Sequence, residues 1–211
     1  MRDRTDAEKS GFMAGIIGES AKALGDRSLA VYYPSYEYMS MMRTAADFGK
    51  HAHEVETRGD PHMEVEARKG RMENATGLDP IVLHGVMGGA YSESMDFRNN
   101  PFKLIIIAGF PVPKPTPMQI AYERYLAEKF KDARKAREYS SLLPAAIRTA
   151  QAVGRGIRKA SDWCYCLLID DRFALHSHLF PAHLKSRALT ISPKRIAGDI
   201  KSFTNRMEAS V

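Results

Sequence analysis

Three short runs constrain this chain more than any other feature: residues 28–33, 81–86 and 102–108. The last two are apolar almost without a break, whereas a strand wetted on one face alternates apolar with polar residues. Such a run needs cover on both faces, the condition of a strand inside a parallel sheet flanked by helices. A further strand is predicted over 164–169 and a short one around Val55. Phe12, Met13, Ile16, Ile17 and Leu24 predict a helix over 8–24, although Gly11, Gly15 and Gly18 weaken it. Ser35 is placed to cap a helix over 36–47, and a short helix is expected around 63–72. A long helix is predicted over 117–138, with Met118, Tyr122, Tyr125, Leu126, Phe130 and Ala133 as one stripe. Another follows Pro144, its apolar face carrying Leu143, Ala146, Ile147, Ala150 and Val153, and a last one covers 192–204. The pattern is one α/β domain over 1–211, with 186–211 as a tail.

Composition narrows the class. At 211 residues, 44% apolar and 27% charged, the chain buries a real core and is not disordered. Its longest apolar candidate, 104–108, falls far short of the ~18 residues of a membrane helix. Residues 1–10 are charged and lack the apolar stretch of a secretory signal. Two cysteines cannot build a disulfide scaffold. The expectation is an intracellular protein with no membrane partner, cytoplasmic in a prokaryote and nuclear in a eukaryote. A net charge of +6 permits a polyanionic partner without singling one out.

Two segments carry candidate chemistry. Gln151, Arg155 and Arg158 stand at i, i+4 and i+7, within roughly 40–60° of one another if the helix continues. Ala150, Val153 and Ile157 would press that helix onto the sheet. Two guanidiniums and an amide suit an anion with several oxygens, such as a terminal phosphate. A merely solvated basic face is the commoner explanation of such spacing, but Gly154 and Gly156 point to a close approach. The second segment, 88–97, opens with Gly88-Gly89 just after a buried strand, where ligand sites of parallel sheets gather. Ser92, Glu93 and Asp96 supply acceptors there. Taken alone, an ordinary loop is the commoner explanation.

Together these segments resemble the second motor domain of the XPD/DinG family of superfamily 2 DNA helicases, most nearly its XPD branch. Tyr33-Pro34-Ser35-Tyr36 and the residues to Met39 resemble motif IV, and Val55-Glu56-Thr57 the short block after it. Residues 88–97 resemble motif V, with Ser94 where that motif has Gly. Gln151-Ala152-Val153-Gly154-Arg155-Gly156-Ile157-Arg158 is similar to motif VI, and Asp162-Trp163 with 168–173 continues the match. The resemblance implies a RecA-like parallel sheet flanked by helices. It implies that Arg158 acts as an arginine finger on ATP, with Arg155 as its partner and Gln151 at the phosphate or the attacking water. Gly88, Glu93, Asp96 and Gly154 would couple ATP to the strand, and Ser35, Tyr36 and Ser92 would face DNA, with Trp163 as a further candidate base contact. ATP and Mg would be held mainly by a first motor domain. This chain has no Gly-x-x-x-x-Gly-Lys-Ser/Thr loop and no Asp-Glu-x-His box of its own, so alone it is not expected to hydrolyse ATP. An iron–sulfur cluster is expected in the full-length protein and not in this chain.

The implied function is the second half of an ATP-dependent 5′–3′ DNA helicase gripping single-stranded DNA, in DNA repair, with a first motor domain and a repair protein as partners. The alternative is a non-catalytic DNA- or partner-binding module derived from such a helicase. Other features have plainer readings. Cys164 and Cys166 alternate on one strand face as buried thiols rather than metal ligands. His176, His178 and His183 lack a fourth ligand for a zinc hydrolase. The prolines at 111–117 read as a rigid loop. The bases of the long helix fit a DNA backbone or a solvated face equally, and Trp163 packs or stacks on a base.

Overall fold

The computed structural model describes residues 6–185 and 188–210. Its centre is a parallel sheet in which β1 (Leu29–Tyr33) lies between β3 (Ile81–Val86) and β4 (Leu104–Ile107). β2 (Ala52–Val55) and β5 (Tyr165–Leu168) form the edges, giving the order β2-β3-β1-β4-β5. The helices in chain order are α1 (Asp6–Leu24), α2 (Tyr36–Ala45), α3 (His62–Glu73), α4 (Pro117–Phe130), α5 (Ala133–Arg137), α6 (Leu143–Gly154), α7 (Asp171–Leu175), α8 (Ala182–Lys185) and α9 (Ile196–Glu208). Each strand predicted from the apolar runs is present. Their alternating side chains feed two layers: Leu29, Val31 and Tyr33 join α1, α2 and α9, while Ala30 and Tyr32 join α3, α6 and the loop after β3. That two-sided burial is why these runs lack polar alternation. No helix of the described residues is long and apolar enough to cross a membrane.

Three helix readings are corrected. The helix expected over 117–138 breaks after Phe130: Lys131 takes a left-handed conformation at φ 53°, and Asp132 caps α5 by accepting from the Arg134 and Lys135 amides. α5 then packs back against α4, so the predicted stripe is not core. Leu126 is buried, but Met118, Tyr122 and Tyr125 are exposed. On α6 the buried face is Ala145, Ala146, Thr149 and Ala152, with Ile147 outside. Small side chains let this helix approach the sheet closely, and the bulkier Ile147 stays on the rim. The last helix starts and ends four residues later than the 192–204 expected.

A polar thread crosses the first layer. The Tyr33 hydroxyl lies 3.0 Å from His84 Nδ1, and His84 Nε2 lies 3.0 Å from His53 Nδ1. Burial, and then His53 beside it, hold the His84 pKa down to about 3. The folded protein thus binds fewer protons here than the unfolded chain, whose histidines titrate near ~6.5. Stability tied to the neutral ring is intact above that value. It is lost as pH falls from there toward about 3, at up to ~1.4 kcal/mol per pH unit. The urea midpoint is therefore expected to drop between pH 7 and pH 5, with a flatter dependence in His84→Gln. The same slope in both proteins would contradict this.

Candidate functional site

The loop leaving β3 is shaped by a carboxylate from the neighbouring strand. Glu56, just past β2, is buried; its Oε2 accepts the Val86 amide at 2.8 Å and its Oε1 the Ala90 amide at 2.9 Å. A Cβ on Gly89 would stand 2.1 Å from that Oε1, so only glycine admits the carboxylate. Gly88 turns the chain with φ +85°. Burial pushes the Glu56 pKa up, against the pull of the two amides. The following π-helical turn, Ala90–Ser94, is held from both sides. The Tyr32 hydroxyl donates to the Tyr91 carbonyl at 3.1 Å, and Arg68 donates to the Tyr91 hydroxyl at 2.7 Å while pairing with Asp60 at 2.6 Å.

Ser92 corrects an expectation. It is 1% exposed, accepts the Gly88 amide at 3.0 Å, and has the Val86 and Gly89 carbonyls each 3.1 Å from its hydroxyl. A hydroxyl so enclosed fixes the loop and is shut off from solvent.

The second segment also departs from its expected geometry. α6 ends at Gly154, so Gln151, Arg155 and Arg158 do not share one helix face. Arg155 caps the helix, and a Cβ on Gly156 would meet Cys164 Sγ at 2.6 Å and Ile105 at 3.0 Å. The close approach foreseen from the glycines is real at Gly156, but at the helix end, and Gly154 faces open space. The next turn is held by Asp162, whose carboxylate accepts the Arg158 and Lys159 amides at 2.8 Å each. Gly156→Ala is expected to cost about 1–3 kcal/mol by overpacking, read as a lower urea midpoint. An unchanged midpoint would mean that the contact with Cys164 and Ile105 is loose.

These two segments meet. The Arg155 guanidinium donates to the carbonyls of Ser92, Glu93 and Met95, gripping the π-helical turn at its exit. Arg158 pairs with Asp96 at 2.7 Å, and Arg148 lies 3.4 Å from the Glu93 carboxylate. Gln151 is exposed on the last turns of α6. Arg148, Arg155 and Arg158 are thus all engaged with the loop, and in the Arg158–Asp96 pair the carboxylate is largely exposed at the edge. An oxyanion arriving there would compete with Asp96 for a bidentate donor.

The remaining candidates divide. Ser35 accepts the Tyr38 amide at 3.2 Å and caps α2, and the Tyr36 hydroxyl reaches Glu56 at 3.5 Å with Arg58 stacked 5.1 Å over its ring. Both sit beside the loop at the carboxyl edge of the sheet. Trp163, read from the sequence as packing or stacking on a base, is 7% exposed, in edge contact with Phe203 and under Lys103, an arrangement that favours packing. The Cys166 thiol beside it, together with burial, raises the Cys164 thiol well above its usual range, as suits an inert thiol. With two cysteines on one strand, the chain's residues do not fit a four-thiolate cluster. Glu93 and Asp96 face arginines, so this side of the site fits phosphate oxygens rather than a magnesium ion. His178 pairs with Glu138, and among the described residues no group of three or more His, Cys, Asp or Glu gathers around one point. Glu56, Arg68 and Arg148 were not singled out as site residues in the sequence. Glu56 had a signal in the Val55-Glu56-Thr57 block, and Arg148 in its place on α6 seven residues before Arg155, whereas Arg68 had none.

Residues 20–187 match the family model described as helicase C-terminal domain. The chain belongs to that family. This helicase C-terminal domain is of the XPD type in superfamily 2. It is 30% identical over 155 residues to the ATP-dependent DNA helicase XPD of Sulfolobus acidocaldarius, covering 69% of this chain and 25% of the relative. It is 29% identical to the ATP-dependent DNA helicase chl-1 of Caenorhabditis elegans, over 71% of this chain and 18% of the relative. The domain thus spans a quarter or less of these curated relatives. Among solved structures, an apo XPD superposes with a TM-score of 0.55 at 25% identity, over 74% of this chain and 32% of that one. An XPD helicase at 22% identity shares the fold with a TM-score of 0.53, over 75% of this chain and 28% of that one.

Proposed function

We propose that this domain is the trans-acting half of an ATP-dependent DNA helicase motor. Arg158 is the arginine finger for ATP held on a first motor domain, and Gln151 contacts the phosphate or the attacking water. Arg155 keeps the loop 88–97 in shape, and Glu93 and Asp96 couple it to the arginines. The observation that supports this reading is the direct contact of the two segments: Arg155 on three loop carbonyls, with Arg158 on Asp96 beside it. When ATP draws Arg158 toward its phosphate, Asp96 loses its partner and the loop is free to shift. Hydrolysis restores the pair. The loop and Ser35–Tyr36 share the carboxyl edge of the sheet, so that shift would pass to single-stranded DNA held there. On this reading ATP and magnesium sit mainly on the first domain, and translocation 5′ to 3′ in DNA repair is part of the same proposal.

The binding-module reading predicts no dependence on nucleotide. Association of this chain with a separately made first motor domain separates the two. A non-hydrolysable ATP analogue with single-stranded DNA is expected to tighten it, and Arg158→Ala to abolish the tightening. Association indifferent to nucleotide would favour the binding module.

A further inference from the structure

The broken helix leaves an unusual face. Met118, Tyr122, Tyr125 and Lys129 stand at i, i+4, i+7 and i+11 of α4, within about 60° of one another, along roughly 16 Å of helix. Met118 is 80% exposed, Tyr122 50% and Tyr125 56%; at the base of the hairpin Tyr139 is exposed as well, packed on Phe130 at 5.3 Å. Aromatic rings are seldom left in a row on solvent without a partner.

The charges say which partner fits. The hairpin of α4, α5 and the turn to Leu142 carries six bases, Arg124, Lys129, Lys131, Arg134, Lys135 and Arg137. Its acids are largely engaged at home. Glu123 accepts from Ser140 at 2.7 Å, Asp132 caps α5, and Glu138 lies 3.2 Å from His178. Among the described residues none of the six bases forms an ion pair. Two of them rest on rings instead, Lys129 at 5.8 Å over Tyr125 and Lys135 at 5.1 Å over Phe130. A ligand that satisfies such a surface brings both anions for the cations and flat faces for the tyrosines. Single-stranded nucleic acid has both, its phosphates lying beside every base.

We infer that the α4–α5 hairpin is a second binding surface for single-stranded nucleic acid, with Tyr122 and Tyr125 as stacking platforms and Lys129 and Lys135 swinging from the rings to phosphates. The surface rests on the strand-gripping part of the proposed function and extends it away from the edge where Ser35 and Tyr36 lie. It owes nothing to the arginine finger.

The test is anisotropy of a short fluorescein-labelled oligothymidylate with this chain. Tyr122→Ala with Tyr125→Ala is expected to weaken binding at least ~30-fold, with an unchanged melting temperature because both rings are exposed. The Phe pair should retain affinity and the Leu pair should not, since leucine keeps apolar area but cannot stack. Lys129→Gln with Lys135→Gln should flatten the salt dependence by about one to two units of slope. Unchanged affinity in the alanine pair overturns the inference, and so does native affinity in the leucine pair, which would mark an apolar protein contact. A native chain with no affinity for the strand overturns it too. The arginine-finger reading is scored separately by hydrolysis, so hairpin variants that bind normally beside an Arg158-dependent motor would remove this surface alone.

Discussion

Arg158→Ala, in this domain assembled with a first motor domain, is expected to slow ATP hydrolysis by about 10³-fold or more while leaving the fold intact. The size follows from where the charge develops. A phosphoryl group in flight spreads negative charge over its oxygens, and a guanidinium positioned beside them stabilises that state without reorganising. The structural cost is small because, among the described residues, the Arg158 side chain pairs with Asp96, an exposed partner whose ion pair contributes little to stability. Arg158→Lys should recover only part of the rate, since a point charge cannot make the bidentate contact. Arg155→Ala should behave differently. Its guanidinium holds three loop carbonyls, so the melting temperature falls along with the rate. A loss of rate in Arg158→Ala that tracks a loss of fold would assign it the same structural role.

The largest expected effect on stability is at Glu56. Glu56→Ala leaves the Val86 and Ala90 amides without their acceptor inside a buried corner, and hydrogen bonds from amides to a carboxylate are among the stronger ones. The expected loss is about 3 kcal/mol, or roughly 10 °C in melting temperature for a domain of this size. Glu56→Gln keeps the volume and one acceptor but turns an N–H₂ toward the other amide, so it should lose about as much as one bond, near ~1.5 kcal/mol. Denaturant titration of both variants reads this directly. A Glu56→Ala protein as stable as the native one would mean that water replaces the carboxylate without cost.

The sheet was legible because its signal is local and redundant. Runs such as Ile81–Val86 and the apolar stretch around Leu104–Ile107 admit only a strand covered on both faces, and that cover is what the two layers supply. Motif spacing also located the two segments that meet at the site. Helix continuity was harder to read. Nothing in the local pattern distinguishes Lys131 in a left-handed turn from one more helical residue, so a broken hairpin read as one long core helix. The same limit misplaced Arg158, which stands on a turn held by Asp162 rather than on α6. Ser92 was read from motif position, and position does not report burial. Glu56 and Arg68 act on the loop from residues more than twenty positions away in sequence, a distance at which only the folded chain brings partners together.

The measurement that bears most directly on the central claim is DNA-stimulated ATP hydrolysis by this chain alone, by a first motor domain alone, and by the two mixed. Hydrolysis that is strong only in the mixture, and absent when the mixture carries Arg158→Ala, is the predicted result. A mixture no faster than the first domain alone, or one indifferent to Arg158→Ala, would contradict the claim that this domain acts on ATP in trans.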